Sequence, residues 1–111
     1  MSNKSFVWVV PATVERVIDG DSVRVVLDLG WRMSHRSSVR LHQANVERLG
    51  TSAGDAARLF VETLLPPGTA VTVESARLDG FGRTLGDILL EHGRSLTQAL
   101  IDAGHATWRR R

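Results

Sequence analysis

The sequence predicts a mainly β chain with two helices, an α+β fold in which five strands form a small barrel. Three observations carry this. From Thr13 to Gln43 the chain is rich in valine and alternates apolar and polar residues, the period of a strand. Two later stretches switch to helical spacing, and each opens on a capping residue. Between them the period of two returns twice, on either side of a glycine-rich turn.

Each element can be justified in order. Thr13–Val17 and Ser22–Leu27 are strands joined by the turn "DGD", Asp19 to Asp21. "DLGW", Asp28 to Trp31, is a second turn. "HRSSVRLHQ", His35 to Gln43, is a third strand with Val39 and Leu41 on one face, which completes a meander. "TSAGDAARLFVETLLPPG" is a helix capped by Thr51 or Ser52, with a buried stripe of Ala56, Leu59, Phe60, Thr63 and Leu64. Pro66-Pro67-Gly68 stops it. "TAVTVESARL" is a strand with Val71 and Val73 on one face and Ala70, Thr72 and Glu74 on the other. "DGFGR", Asp79 to Arg83, turns the chain into a strand "TLGDILL", which ends at a turn over Glu91–Gly93. The last helix, "SLTQALIDAG", starts with the capping box Ser95-x-x-Gln98 and buries Leu96, Ala99, Leu100 and Ala103. The order β-β-β-α-β-β-α, with five strands and a helix after the third, suggests an OB-fold barrel.

Composition bounds the function. At 111 residues the chain suits one domain, 1–111, with its core between about 12 and 106. The absence of cysteine excludes disulfides and thiolate metal sites. No apolar run nears the ~18 residues of a membrane span. The start, "MSNKSFVWVVPATVER", lacks the pattern of a signal peptide, so a cytoplasmic, membrane-free monomer is expected. The formal charge is +2, and the basic residues are thirteen arginines and Lys4. Arginine's planar fork suits phosphate, which points to nucleic acid as a partner. The terminal "RRR", Arg109 to Arg111, is a solvated tail that can add phosphate contacts.

Four motifs in this order resemble the staphylococcal-nuclease (thermonuclease) family over roughly Ala12 to Ala106. "VIDGDSV" is similar to the family's I-D-G-D-T/S-V, and "VRLHQANVER" to its V-R-L-x-x-[IV]-[DN]-x-P-E. "DGFGR" is similar to its D-x-[YF]-G-R, and "SLTQALIDAGHA" to its helix ending A-L-x-x-G-x-A. The resemblance implies a Ca²⁺-dependent hydrolase of phosphodiester bonds in DNA or RNA, acting on a single strand.

The resemblance also implies roles. Asp21 would bind the cation, with Asp19 in support and Gly20 letting the backbone turn between them. Ca²⁺ takes 6–8 oxygen ligands, which explains clustered carboxylates. Arg40 and Arg83 would grip the phosphate and stabilise the charge of the pentacoordinate state. The match breaks after β3. Asn45 stands where the second metal aspartate belongs, Glu47 where proline belongs, and Arg48 where the general-base glutamate belongs. A guanidinium cannot be deprotonated in a protein, so Arg48 cannot activate water. It is a candidate for nucleic-acid binding instead. If the proline is simply deleted, Glu47 takes the base position. The alternatives are a nucleic-acid binder without catalysis, or a protein-interaction module on the same fold.

Other features are read more plainly. His35, His42, His92 and His105 show no metal-ligand spacing and are structural or surface residues. Trp8 and Trp31 are expected to pack in the core or at a barrel end, with base stacking as the alternative reading. The family's additional carboxy-terminal helix has no counterpart after "HATWRRR", so part of the barrel flank is expected to be thin, with Trp108 covering it or meeting a partner.

Overall fold

A computed structural model describes residues 8–78 and 82–109, with the backbone alone over 76–78. The first three residues of the turn expected at Asp79–Arg83 lie outside the described residues, as do the last two arginines. The α+β class read from the sequence is the one observed. Strands β1 (Trp8–Asp19), β2 (Ser22–Gly30) and β3 (Met33–Leu41) form the meander. A two-residue strand β4 (Ala44–Asn45) leads to helix α1 (Ser52–Leu64). Then come β5 (Ala70–Leu78), β6 (Thr84–Leu89), a single 3₁₀ turn over Glu91–Gly93, helix α2 (Leu96–Asp102) and a short β7 (Thr107–Trp108).

Five strands hydrogen-bond in the ring β1-β2-β3-β6-β5, a closed barrel in which β1 pairs with both β2 and β5. The β3–β6 pair is parallel and only three residues long, Val39 to Leu41 against Thr84 to Gly86. The other pairs of the ring are antiparallel. Strand β1 is longer than expected because its first residues, from Trp8, pair with β5 before the β2 ladder begins at Ala12. Pro11 falls in that stretch flanked by β5 alone, the edge setting that tolerates a missing N–H.

The core fills the ring. Val23, Val25, Val39, Leu41, Val73 and Ile88 are fully buried. Val14 and Val17 both face inward although they are three residues apart. A bulge between Val14 and Arg16 takes up the odd residue. Each such side chain contributes roughly 1.5–3 kcal/mol relative to exposure.

Four expectations are corrected. Helix α1 buries Gly54, Ala57, Val61 and then Leu65, with Phe60 and Leu64 at the margin, whereas Ala56, Leu59 and Thr63 are exposed. Small residues at Gly54 and Ala57 let the helix sit close to the barrel, so they and not Leu59 set its contact face. In α2, Ala103 is exposed and Thr97 is buried in its stead, held by two hydrogen bonds to the Asp87 carboxylate, 3.2 Å from its N–H and 3.0 Å from its hydroxyl. Ser95 caps α2 as expected, accepting from the Gln98 N–H at 3.1 Å, but the Gln98 side chain reaches forward to Asp102 instead of closing the box.

The β2–β3 turn is centred on Trp31 and Arg32, later than "DLGW" suggested, and both have positive φ, 56° and 62°. A bulge between Asp28 and Gly30 shifts it. The fourth correction concerns the tryptophans. Trp31 is 93% exposed and Trp8 62%, so neither belongs to the core. Aliphatic side chains fill the ring, leaving no place there for an indole. Trp108, 51% exposed, lies on β7 beside Ala44 of β4. Among the described residues no helix is long and apolar enough to cross a membrane.

Candidate functional site

Three segments build one cleft of about 490 Å³ at the end of β1. The β1–β2 turn supplies Asp19, Asp21 and Ser22. The segment after β3 supplies Asn45, Val46, Glu47 and Arg48. Arg40 comes from β3 and Arg83 from the residue before β6. Each site residue anticipated from the sequence, separated by up to sixty-four positions, therefore meets in one place (Asp19 to Arg83).

The turn is organised by its own polar groups. The Asp19 Oδ1 accepts from the Asp21 N–H at 3.0 Å, which folds the backbone around Gly20. The Asp21 carbonyl accepts from the Leu41 N–H at 2.8 Å, tying the turn to β3. Ser22 donates to the Asp21 carboxylate at 3.2 Å. Register places Ser22 opposite Arg40, and the Arg40 guanidinium stands 3.7 Å from the Asp21 carboxylate. Burial, followed by the neighbouring Asp19, pushes the Asp21 carboxyl from 3.8 up to about 6. Arg40 and the Ser22 hydroxyl pull it the other way. Two carboxylates are thus held together in a half-buried place without enough positive charge to satisfy them.

Gly20 has a different role from the one expected of it. Its φ is not left-handed. A Cβ there would lie 2.7 Å from Val46 Cγ1 and 2.9 Å from Ala57 Cβ, so glycine lets the turn pack against the loop and helix α1. Gly54 does the same from the other side: a Cβ would lie 1.9 Å from the Arg48 carbonyl oxygen. That oxygen also accepts from the Thr51 hydroxyl at 2.8 Å, while Thr51 Oγ1 accepts from the Gly54 N–H at 3.0 Å and caps α1. The loop of Glu47 and Arg48 is therefore pinned at its backbone to the first turn of α1.

Sequence reasoning missed two supports. Asn45 pairs with Thr107 in the β4–β7 ladder, and the Arg109 N–H donates to the Gln43 carbonyl at 2.8 Å. The end of the chain thus holds the far wall of the cleft. Nothing short of the tertiary pairing marks Thr107. Ser22 was visible only as a strand residue, although its place beside Asp21 was a usable signal.

The cleft's chemistry is oxygen donors beside guanidinium groups. Among the described residues no three His, Cys, Asp or Glu side chains come close enough to form a metal-binding group on their own. Asp19 and Asp21 are the acidic pair, and the Asn45 amide is a neutral oxygen beside them in the cleft. Such a set can hold a hard cation that also draws ligands from water and substrate. Arg40 and Arg83 can grip an anion.

Fold and cleft together define a small β-barrel with an acidic pair facing arginines. No protein-family model matches the chain. It is similar to Endonuclease YhcR of Bacillus subtilis (strain 168), 26% identical over 106 residues that span 84% of this chain and 8% of that protein. It is also similar to two proteins called "Uncharacterized endonuclease", from Escherichia coli O157:H7 and Escherichia coli. Each is 31% identical over 97 residues, 86% of this chain and 58% of theirs. The chain therefore spans little more than half of these two relatives and a small part of the first.

Proposed function

We propose that this chain is a Ca²⁺-dependent phosphodiesterase of the staphylococcal-nuclease type, on an OB-fold barrel, that cuts DNA or RNA. The observation that carries this reading is the convergence of Asp19, Asp21, Arg40, Asn45, Glu47 and Arg83 on one cleft. The relatives named endonucleases support it. The donor set fits Ca²⁺: every candidate ligand is an oxygen, and the Asp19–Asp21 pair raises the Asp21 carboxyl in a way that a cation would relieve. Asp21 would hold the cation directly, with Asn45 and Asp19 completing or supporting its shell. When bound, the cation would neutralise the substrate phosphate and favour ionisation of a water.

The protein's own groups do the rest. Arg40 and Arg83 bind non-bridging phosphate oxygens and stabilise them as negative charge builds in the pentacoordinate state. Arg40 is held toward the phosphate by Asp21 and by its place on β3. Glu47 is the cleft carboxylate outside the acidic pair. It accepts the proton of the attacking water as the new P–O bond forms and the bond to the leaving oxygen breaks. Arg48 adds positive charge for the rest of the strand.

A second reading, binding of nucleic acid without cleavage, is favoured by Arg48 standing in the base position. A nuclease assay on single-stranded DNA with Ca²⁺ and with chelator separates the two. The expected result is Ca²⁺-dependent cutting that Asp21→Ala abolishes. Equal activity in wild type and variant, or none with Ca²⁺, would overturn the nuclease reading.

A further inference from the structure

A second pocket, of about 420 Å³, opens at one end of the barrel and belongs to none of the residues assigned above. Its walls are the apolar inward-facing Val10, Leu27 and Val73, and its rim carries Trp8, Leu29 and His35. At its floor the hydroxyls of Ser37 and Thr84, both buried, bond to each other at 2.8 Å. Trp8 and Leu29 are exposed although they are large and apolar. Exposed apolar side chains gathered around a concavity mark a binding site more often than an accident of folding.

The pocket and the cleft are neighbours along two strands. Arg83 lines the cleft, while Gly82 before it and Thr84 after it line the pocket. On β3, Arg40 lines the cleft and Ser37 the pocket. Three residues of strand separate them, about 10 Å. The crossing point is Gly82, where a Cβ would meet nothing within 4 Å, so the passage from one site to the other is open. A strand held by its phosphate on Arg40 and Arg83 has its neighbouring nucleotide within reach of the pocket.

We propose that this pocket takes one unstacked base from the strand whose phosphate lies in the cleft. The inference rests on reading the cleft as a nucleic-acid site. The chemistry matches a base in three respects. Trp8 offers an indole face for stacking, which is sequence-tolerant. The apolar walls take the ring. The hydroxyl pair offers hydrogen-bonding oxygens to its edge, which an aliphatic ligand would leave unused. The volume sits at the low end of the range for small-molecule pockets, about 300–1,000 Å³. A base inside a duplex is stacked and paired and cannot enter, so the pocket selects single strands.

The test uses fluorescein-labelled single-stranded DNA octamers, one intact and the others with an abasic site moved along the strand. Binding is read by anisotropy in chelator, and cutting is read separately with Ca²⁺. In wild type, an abasic site at one position next to the bound phosphate weakens binding roughly tenfold, the scale of losing one stacked base. Trp8→Ala weakens the intact strand by a similar factor and removes the abasic penalty. Leu29→Ser, at an exposed position, does the same to a smaller extent and guards against a folding defect in the first variant. If no abasic position matters, or if the penalty persists in both variants, the base pocket is overturned. If the penalty is present but wild type never cuts, the nuclease reading alone falls. If no strand binds at low salt, both fall.

Discussion

The Arg40 guanidinium stands 3.7 Å from the Asp21 carboxylate, because β2–β3 register places Arg40 opposite Ser22, the residue after Asp21. This pair joins the acidic and the cationic halves of the cleft, and each half governs a separate prediction.

Asp21 makes the metal-free protein less stable above its titration range. Its folded carboxyl titrates at about 6, above the ordinary 3.8, so the folded state holds the proton more tightly than the unfolded chain. The penalty is absent below pH 4, grows as pH rises through 6, and is complete above it. Asp21→Asn removes it. In chelator the variant should melt higher than wild type at pH 7.5, by on the order of 1–3 kcal/mol, with the gap closing toward pH 4. Thermal melts across that range check it, and a constant gap would contradict it.

Arg40 and Arg83 should matter more in the transition state than in the ground state. Replacing either with Ala should lower kcat by roughly 10²–10³ and weaken binding much less. Steady-state kinetics with a short oligonucleotide decide this. A change confined to KM would make both arginines binding residues only.

Glu47 and Arg48 separate two mechanisms. If Glu47 is the base, Glu47→Gln should cost roughly 10²–10⁴ in kcat, and Arg48→Glu should add little. If cleavage proceeds without Glu47, the first change is silent and Arg48→Glu should raise kcat by a comparable factor. A paired kinetic comparison reads both outcomes.

Gly54→Ala reverses a familiar rule. In a helix interior alanine is favoured over glycine by about 1 kcal/mol. Here the new Cβ would lie 1.9 Å from the Arg48 carbonyl oxygen. The variant should therefore lose roughly 1–3 kcal/mol by denaturant melt and displace the loop of Glu47 and Arg48, lowering activity as well.

Much of the fold was legible because apolar alternation, caps and turn residues act locally. Val39 and Leu41 announced a buried strand face, Thr51 and Ser95 announced helix starts, and Pro66-Pro67 announced a stop. The faces of α1 and α2 were misjudged because Leu59 and Ala103 are apolar but point away from the barrel, while Gly54 and Thr97 are buried for reasons of fit and hydrogen bonding.

The residues of the cleft were readable as motif positions, one by one: Asp19, Asp21, Arg40, Asn45, Glu47, Arg48 and Arg83. Sequence alone determined which chemical groups were available, since a carboxylate, an amide or a guanidinium is a property of the residue. Only the tertiary structure decided that they share one cleft, that Gly20 and Gly54 exist for close packing, and that Thr107 steadies Asn45. It also decided that Trp8 rims a pocket instead of filling a core. The physical reason is that strand closure, helix approach and exposure depend on contacts between residues distant in the chain, whose spacing carries no local period.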